Sequence, residues 1–373
     1  MQITREQVVA YRVAAQQLDR SGHAPGSLAV LDIGVQDIGT HPARLAFDAR
    51  LPKPPAGGGI GAGKPIALAW SLRGAPHLHR RKDLDSLARA LWPLSEADAA
   101  GRLNESGPSV ARAGISALDQ YAKALAAMRS VVTAPTDKGA ASTAVTKRIP
   151  PVMRRACRVC GTSHISDSAM RAVALAAGLE LEPGTAPPVL VPSVPRVQAA
   201  DGPDLRALRS LVLAYLTLLG PATPSDVAGY FAVRTADLKQ VWPDDEVTEV
   251  SVDGRKAWLP AARADELAAA PAPELVRLLG PFDPYLQARD RTLIVPDKAA
   301  HKVLWPVLGR PGVVFADGEV VGVWRPKSTA RTLAIAVETF VPLPPPTWRA
   351  VEAEAERVAA VRGAAEVTVS RTG

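Results

Sequence analysis

Two cysteines and a histidine stand close together in CRVCGTSH: Cys157, Cys160 and His164. Two residues between the cysteines and three before the histidine is zinc-knuckle spacing, in which thiolate and imidazole donors from one short segment meet a single cation. A fourth donor would be His77 or His79 in RGAPHLHRR, Asp167, or a water. A buried reduced pair and a redox CxxC are the other readings, and no thioredoxin-like pattern surrounds the motif. If zinc binds, a structural role fits better than a catalytic one, because no general-base motif adjoins the cluster.

The loop GGIGAGKP imitates a phosphate-binding P-loop from Gly58 to Lys64. Such a loop needs Ser or Thr after its lysine to hold magnesium, and here Pro65 takes that place. The sequence has no GxSxG elbow, no HExxH and no kinase motif set.

The other candidates are basic. Asp253-Gly254 in VTEVSVDGRKAWLP is a type I′ hairpin signal, and Arg255 and Lys256 follow its tip. Asp317-Gly318 marks a second hairpin, which runs into Arg325-Pro326-Lys327. Upstream, PFDPYLQARDR sets Asp290 between Arg289 and Arg291. Solvated surface charge and ion pairing are the plain readings of these residues. Contact with nucleic-acid phosphate is the functional one.

The elements that carry these residues follow from periodicity and turn chemistry. Thr4 and Gln7 form a capping box before a helix bearing Val8, Val9, Tyr11 and Val13. Helices are expected over 65–73, 83–93, 110–131, 203–219 and 346–362, and strands over 276–341. Two stretches read as distant copies of one unit. In each, a helix (through Met128 or Leu219) leads to a Pro-marked turn and a short helix opened by Asp137 or Ser225. That is the helix–turn–helix layout, and the second copy runs on into the basic hairpin of a winged helix. The expected fold is mostly α with small β-sheets (α+β): tandem winged helices and a C-terminal β-rich portion. Its expected divisions are 1–150, a Cys/His segment and Pro-rich linker over 151–202, a second winged helix over 203–275, and 276–373 with the terminal helix.

Composition narrows the class. Of 373 residues, 47% are hydrophobic and 22% charged, and no stretch approaches the roughly 20 apolar residues of a membrane span. MQITREQVVAYRV is charged where a signal peptide is apolar, and two cysteines cannot make a disulfide scaffold. A cytoplasmic, nucleoid-associated protein is expected. The net charge is +7, with 33 Arg among 44 basic residues. Arginine grips phosphate bidentately, although codon usage alone also produces such a bias.

Four phrases, GVQDIGTHPARLAFDAR, WSLRGAPHLHRRKDL, LLGPFDPYLQARDR and PGVVFADGEVVGVWRPK, occur in this order across nearly the whole chain. Together they resemble the winged-helix family that includes the AlkZ/YcaQ-like DNA glycosylases. The resemblance implies tandem winged helices in a C-shaped clamp on double-stranded DNA, a monomer, and hydrolytic release of alkylated bases. It also implies a catalytic motif of two polar residues flanking an apolar one. Gly34-Val35-Gln36 matches the start of that motif, but Asp37 follows at once and Ile38 holds the second polar position. In an extended segment Gln36 and Asp37 would face opposite ways. An alkylated purine is a cationic leaving group, so the work left is to place a water and to stabilise an oxocarbenium-like sugar. Gln36 suits holding the water, and Asp37 would orient or activate that water, provided the backbone turns. No lysine lies nearby in sequence for Schiff-base chemistry, so a monofunctional enzyme is expected. The same resemblance puts His77 near DNA; donation to a backbone carbonyl is its plainer reading.

Three functions follow: a repair glycosylase, a non-catalytic DNA-binding or regulatory protein of the same fold, and a zinc-containing structural or regulatory protein whose winged helices bind a protein partner.

Overall fold

The computed structural model describes residues 1–39, 42–54, 60–61, 63–103, 110, 112–329 and 331–372. Of the imitation P-loop, residues 58, 59 and 62 lie outside the described residues. The chain forms a mixed α/β fold with several small sheets and divides into two units. The first comprises Met1–Gly57, Leu213–Val227 and Pro243–Gly373; the second comprises Gly58–Val212 and Ala228–Trp242.

The first unit opens with the capped helix Arg5–Ala15. Thr4 accepts from the Gln7 amide at 3.3 Å, and the Gln7 side chain accepts from the Thr4 amide at 2.9 Å. Two such reciprocal bonds satisfy orphan amides that would otherwise fray the first turn. Val8 and Tyr11 pack with Ile3, Val250, Val252 and Leu259 under a three-stranded sheet. In that sheet Gln2–Ile3 runs parallel to Val247–Val252, which pairs with Arg255–Pro260. The hairpin turn is type I′: Asp253 (φ 46°) and Gly254 (φ 82°) both have the positive φ that the turn demands.

The C-terminal sheet has the order Val276–Leu279, Gly312–Ala316, Glu319–Ser328, Thr332–Thr339, Glu366–Arg371. Four strands are antiparallel neighbours, and the last pair is parallel. A parallel pair cannot be joined by a tight turn. The helix Pro345–Arg362 makes the crossover, and Gly363 ends it at φ 70°. Leu333, Ile335 and Val337 alternate inward against Trp348, Val351, Ala355 and Val358 of that helix. Between residues 280 and 311, where strands were expected, the chain makes short helical turns instead, including Pro284–Gln287, Arg291–Ile294 and His301–Leu304.

Gly312 is where this sheet is tightest. A Cβ there would lie 2.3 Å from two Trp324 indole atoms, and that indole donates to the Leu279 carbonyl at 3.0 Å. Gly312→Ala is expected to destabilise the protein by about 1–3 kcal/mol. Gly101→Ala is expected to do the opposite by about 0.5–1 kcal/mol, because Gly101 sits in the helix Glu96–Leu103 with open space around it. Urea midpoints of the two variants should therefore move in opposite directions; a common sign would contradict the packing described.

In the second unit the strands lie in the order Pro76–Arg80, Ile66–Trp70, Leu179–Leu181, Val189–Pro192, Thr136–Asp137. The helix expected over 65–73 is thus a strand. All five residues of IALAW are buried, and an apolar run covered on both faces carries no period that separates strand from helix. The helix expected over 110–131 is regular over Ala117–Val131, where Ser116 caps it by accepting from the Asp119 amide at 3.1 Å. Asp137 opens the helix Lys138–Arg148 by accepting from the Ala140 amide at 2.9 Å. In the second copy Thr223, not Ser225, opens the helix Pro224–Phe231. Its hydroxyl accepts from the Asp226 amide, and the Asp226 carboxylate accepts from the Thr223 amide. No helix among the described residues is long and apolar enough to cross a membrane.

Candidate functional site

Gln36 closes the short strand Val35–Gln36, between a helical turn at Ala29–Asp32 and the helix Pro42–Asp48. Positive φ at Gly34 (79°) and Gly39 (88°) bends the chain on either side. Gln36 is 8% exposed, Asp37 is half-buried and Ile38 is 42% exposed. Asp37 Oδ1 accepts from the Ala43 amide at 3.3 Å, so it helps to open the following helix.

That helix is held firmly. Arg50, just after it, is fully buried and forms a bidentate pair with fully buried Asp283 at 2.8 and 2.9 Å. Arg50 also donates to the Ala46 carbonyl and the Gln16 side chain. Asp48 pairs with Arg357 at 2.7 Å. The motif segment and the PFDPY segment, 233 residues apart, are therefore joined by one buried ion pair.

A cavity of about 590 Å³ lies elsewhere in the same unit and brings together four of the basic candidates: Arg255, Lys256, Arg289 and Arg291. Arg5 and His301 complete its basic lining, and Thr223 and Ser225 contribute hydroxyl groups. Asp226, Asp253 and Asp290 also line it; Asp226 accepts from the Thr223 amide and hydroxyl, and Asp290 is neutralised from behind by buried Arg12, which holds it at 2.6 and 3.1 Å while donating to the Gly220 and Pro221 carbonyls. The sequence suggested pairing of Asp290 with its neighbours; instead Arg289 is exposed, and Arg291 stacks over Trp305 with its guanidinium 4.9 Å from the ring centroid. Burial and the adjacent Arg289 both lower the Arg291 pKa, a sign of concentrated positive charge. Lys256 is paired with Glu249 at 3.0 Å, but both side chains are exposed, so the pair is weak and exchangeable. Arg5 and His301 were not anticipated, because they reach the cavity from chain positions far from any basic run. Arg5 is pinned by Glu319 and by the Leu293 carbonyl.

Arg325 and Lys327 lie on the exposed end of the strand Glu319–Ser328, two residues apart and hence on one face. Arg325 pairs with Glu338 at 3.6 Å. His77, by contrast, is 1% exposed, and its Nδ1 donates to the Ala75 carbonyl at 2.9 Å. Burial, with His79 and Arg73 adding to it, pushes its pKa well below the usual imidazole value, so it is neutral at pH 7. His79 is also buried, its Nε2 2.9 Å from the Ser71 hydroxyl.

Cys157, Cys160 and His164 do converge: their donor atoms lie within 4.8 Å of one another. The Cys160 amide and thiol hold the Cys157 thiol down to about 6, and the thiolate so favoured raises the Cys160 pKa. Another cavity, of about 450 Å³, lies in the second unit beside Trp70, Arg73, Tyr121 and Arg171, and of the residues singled out in the sequence Asp167 lines it.

Comparison with known proteins bears on this arrangement. A protein of Streptomyces sahachiroi described as an interstrand DNA cross-link repair glycosylase is 34% identical over 180 residues, 45% of this chain. The match spans about half, 46%, of that relative's length. The solved structure of the Streptomyces sahachiroi DNA glycosylase AlkZ resembles this one with a TM-score of 0.75 over 100% of both chains. At 23% identity, that likeness speaks for the fold alone. The AlkZ-like DNA glycosylase family matches residues 30–361, nearly the whole length, and the chain belongs to it.

Proposed function

We propose that this protein binds double-stranded DNA and hydrolyses the N-glycosidic bond of alkylated bases, cross-link adducts among them. Family membership supports the chemistry. The observation that carries the DNA half is the gathering of Arg255, Lys256, Arg289 and Arg291 on one cavity. Arg255 and Arg289 are exposed and have no acidic partner among the described residues, so phosphate can take that place. Arg325 and Lys327 extend the contact; His77, being buried, is left out of it.

In the proposed reaction Gln36 holds the water that attacks the sugar carbon as the base departs with the bonding electrons. Asp37 contributes a fixed negative charge for the oxocarbenium-like sugar. The water's proton passes to solvent or to the departing base. No resident cofactor enters any step, and the Cys157–Cys160–His164 group is given a structural part. The protein would act as a monomer on chromosomal DNA, hence with the nucleoid.

A second reading has one observation in its favour: Ile38 stands where the motif's second polar residue belongs, and it is 42% exposed. A clamp that had lost its chemistry would look the same there. Base release from duplex DNA alkylated at guanine N7 separates the two. Release above the spontaneous rate supports the enzyme, and its absence supports the binding module. A protein-binding regulator would instead show no salt-steep affinity for duplex.

Replacing Arg255 and Lys256 by Ala together is expected to weaken binding about equally across duplex sequences. It should also flatten the plot of log affinity against log salt by about 2, roughly 1 per phosphate contact. Fluorescence anisotropy over a salt series measures this, and an unchanged slope removes the hairpin tip from the interface.

A further inference from the structure

We propose that Cys157, Cys160 and His164 form a zinc site with three protein donors and a water, and that the metal clips an exposed basic ribbon in place. The antiparallel strands Arg155–Cys157 and Thr162–His164 pair Cys157 with Thr162 and Arg155 with His164. That register sets Cys157 and His164 on the same face, diagonal to each other and within reach of an imidazole. Cys160 comes back toward them through the turn. The Gly161 amide donates to the Cys157 carbonyl at 3.0 Å, and Gly161 itself has φ 65°.

The donor set fits zinc. Tetrahedral bonds of about 2.3 Å to sulfur and about 2.0–2.1 Å to nitrogen place donor atoms about 3.6–3.8 Å apart. The donors already lie within 4.8 Å, so a shift of about 1 Å at most completes the geometry. The His164 Nδ1 donates to the Ile165 carbonyl at 2.6 Å, which fixes the tautomer whose Nε2 carries a lone pair. This is the usual arrangement behind a zinc-bound imidazole. Metal entry forms two Zn–S bonds and one Zn–N bond and releases to solvent whatever thiol protons the two cysteines still carry. Of the fourth donors considered, His77 and His79 are engaged elsewhere, and Asp167 is held by Lys138 and by Arg171 at 2.7 Å. Water remains.

The ribbon itself calls for such a clip. No residue from Arg155 to His164 is buried, and Val159 at its tip is 95% exposed. A two-stranded ribbon with no core beneath it is marginal in water. It nonetheless carries Arg155 and Arg158, exposed and next to Arg154.

Metal analysis of the full chain, purified and reloaded under reductant, tests the assignment. Stoichiometric zinc is expected in the wild type and none in Cys157→Ser/Cys160→Ser, with His164→Ala weakening zinc at least about tenfold in competition with a chromogenic chelator. Cobalt substitution should give a thiolate-to-metal charge-transfer band that the double variant lacks. Trypsin should cut after Arg155 and Arg158 faster once zinc is removed, while the far-UV spectrum holds. A reduced chain that takes up no zinc, zinc retained by the double variant, or cleavage rates indifferent to the metal would each overturn the proposal.

Discussion

Gln36→Ala is expected to lower base release from N7-alkylated duplex by about 10²- to 10³-fold, the usual cost of removing one preorganised polar group from a site where charge develops. The expectation rests on where Gln36 sits. It is 8% exposed on a two-residue strand, between glycines at φ 79° and 88°, and it is followed by a helix whose end is tied through Arg50 to buried Asp283. A side chain so confined loses little freedom in holding a water, and its truncation should leave the fold intact. Duplex affinity should then be unchanged while the single-turnover rate falls. Asp37→Asn refines the result. The amide oxygen can still accept from the Ala43 amide, which now reaches Asp37 Oδ1 at 3.3 Å, so helix opening survives while the charge is lost. A slower rate at unchanged stability gives Asp37 an electrostatic role. An unchanged rate leaves it as the residue that opens the helix Pro42–Asp48. Equal rates for wild type and Gln36→Ala would sink the assignment of Gln36.

The features legible in sequence were those written in neighbouring residues. The Thr4–Gln7 box, both Asp-Gly hairpins and the final helix depend on contacts a few residues long. So does the Cys–His cluster, since spacing alone brings its donors together. The strand Ile66–Trp70 was hidden for the opposite reason: burial on both faces erases alternation. The basic cavity was half visible. Arg255, Lys256, Arg289 and Arg291 stood out as local charge, but their meeting depends on pairing across the fold, and Arg5 gave no signal at all. Asp290 misled because its partner, Arg12, lies 278 residues away. One unit is assembled from three separate stretches and the other from two, a division that local composition does not encode.

The most damaging single change outside the reaction is expected at Asp283. Asp283→Asn would leave Arg50 fully buried with a neutral partner, and breaking a buried pair from one side costs about 3–5 kcal/mol. Removing both charges costs less, because the price of burying an unpaired ion disappears. Arg50→Met with Asp283→Leu should therefore recover part of the loss, though the Tyr285 amide, which donates to Asp283 at 2.9 Å, would still lack its acceptor. For a cooperative unit of this size the single variant should melt on the order of 10 °C lower. The pair also joins the helix after Gln36 to the segment that carries Asp283, Arg289 and Asp290. Below the melting temperature of the variant, base release should accordingly fall further than binding does, since the water-holding group depends on that anchor while, of the phosphate contacts, only Arg289 and Arg291 share the anchored segment and Arg255, Lys256, Arg325 and Lys327 stand on separate strands. Calorimetry and single-turnover release on the same preparations decide the matter. A normal melting temperature would show that the pair does not hold the fold. A lowered one with a normal rate would show that Gln36 is positioned without it.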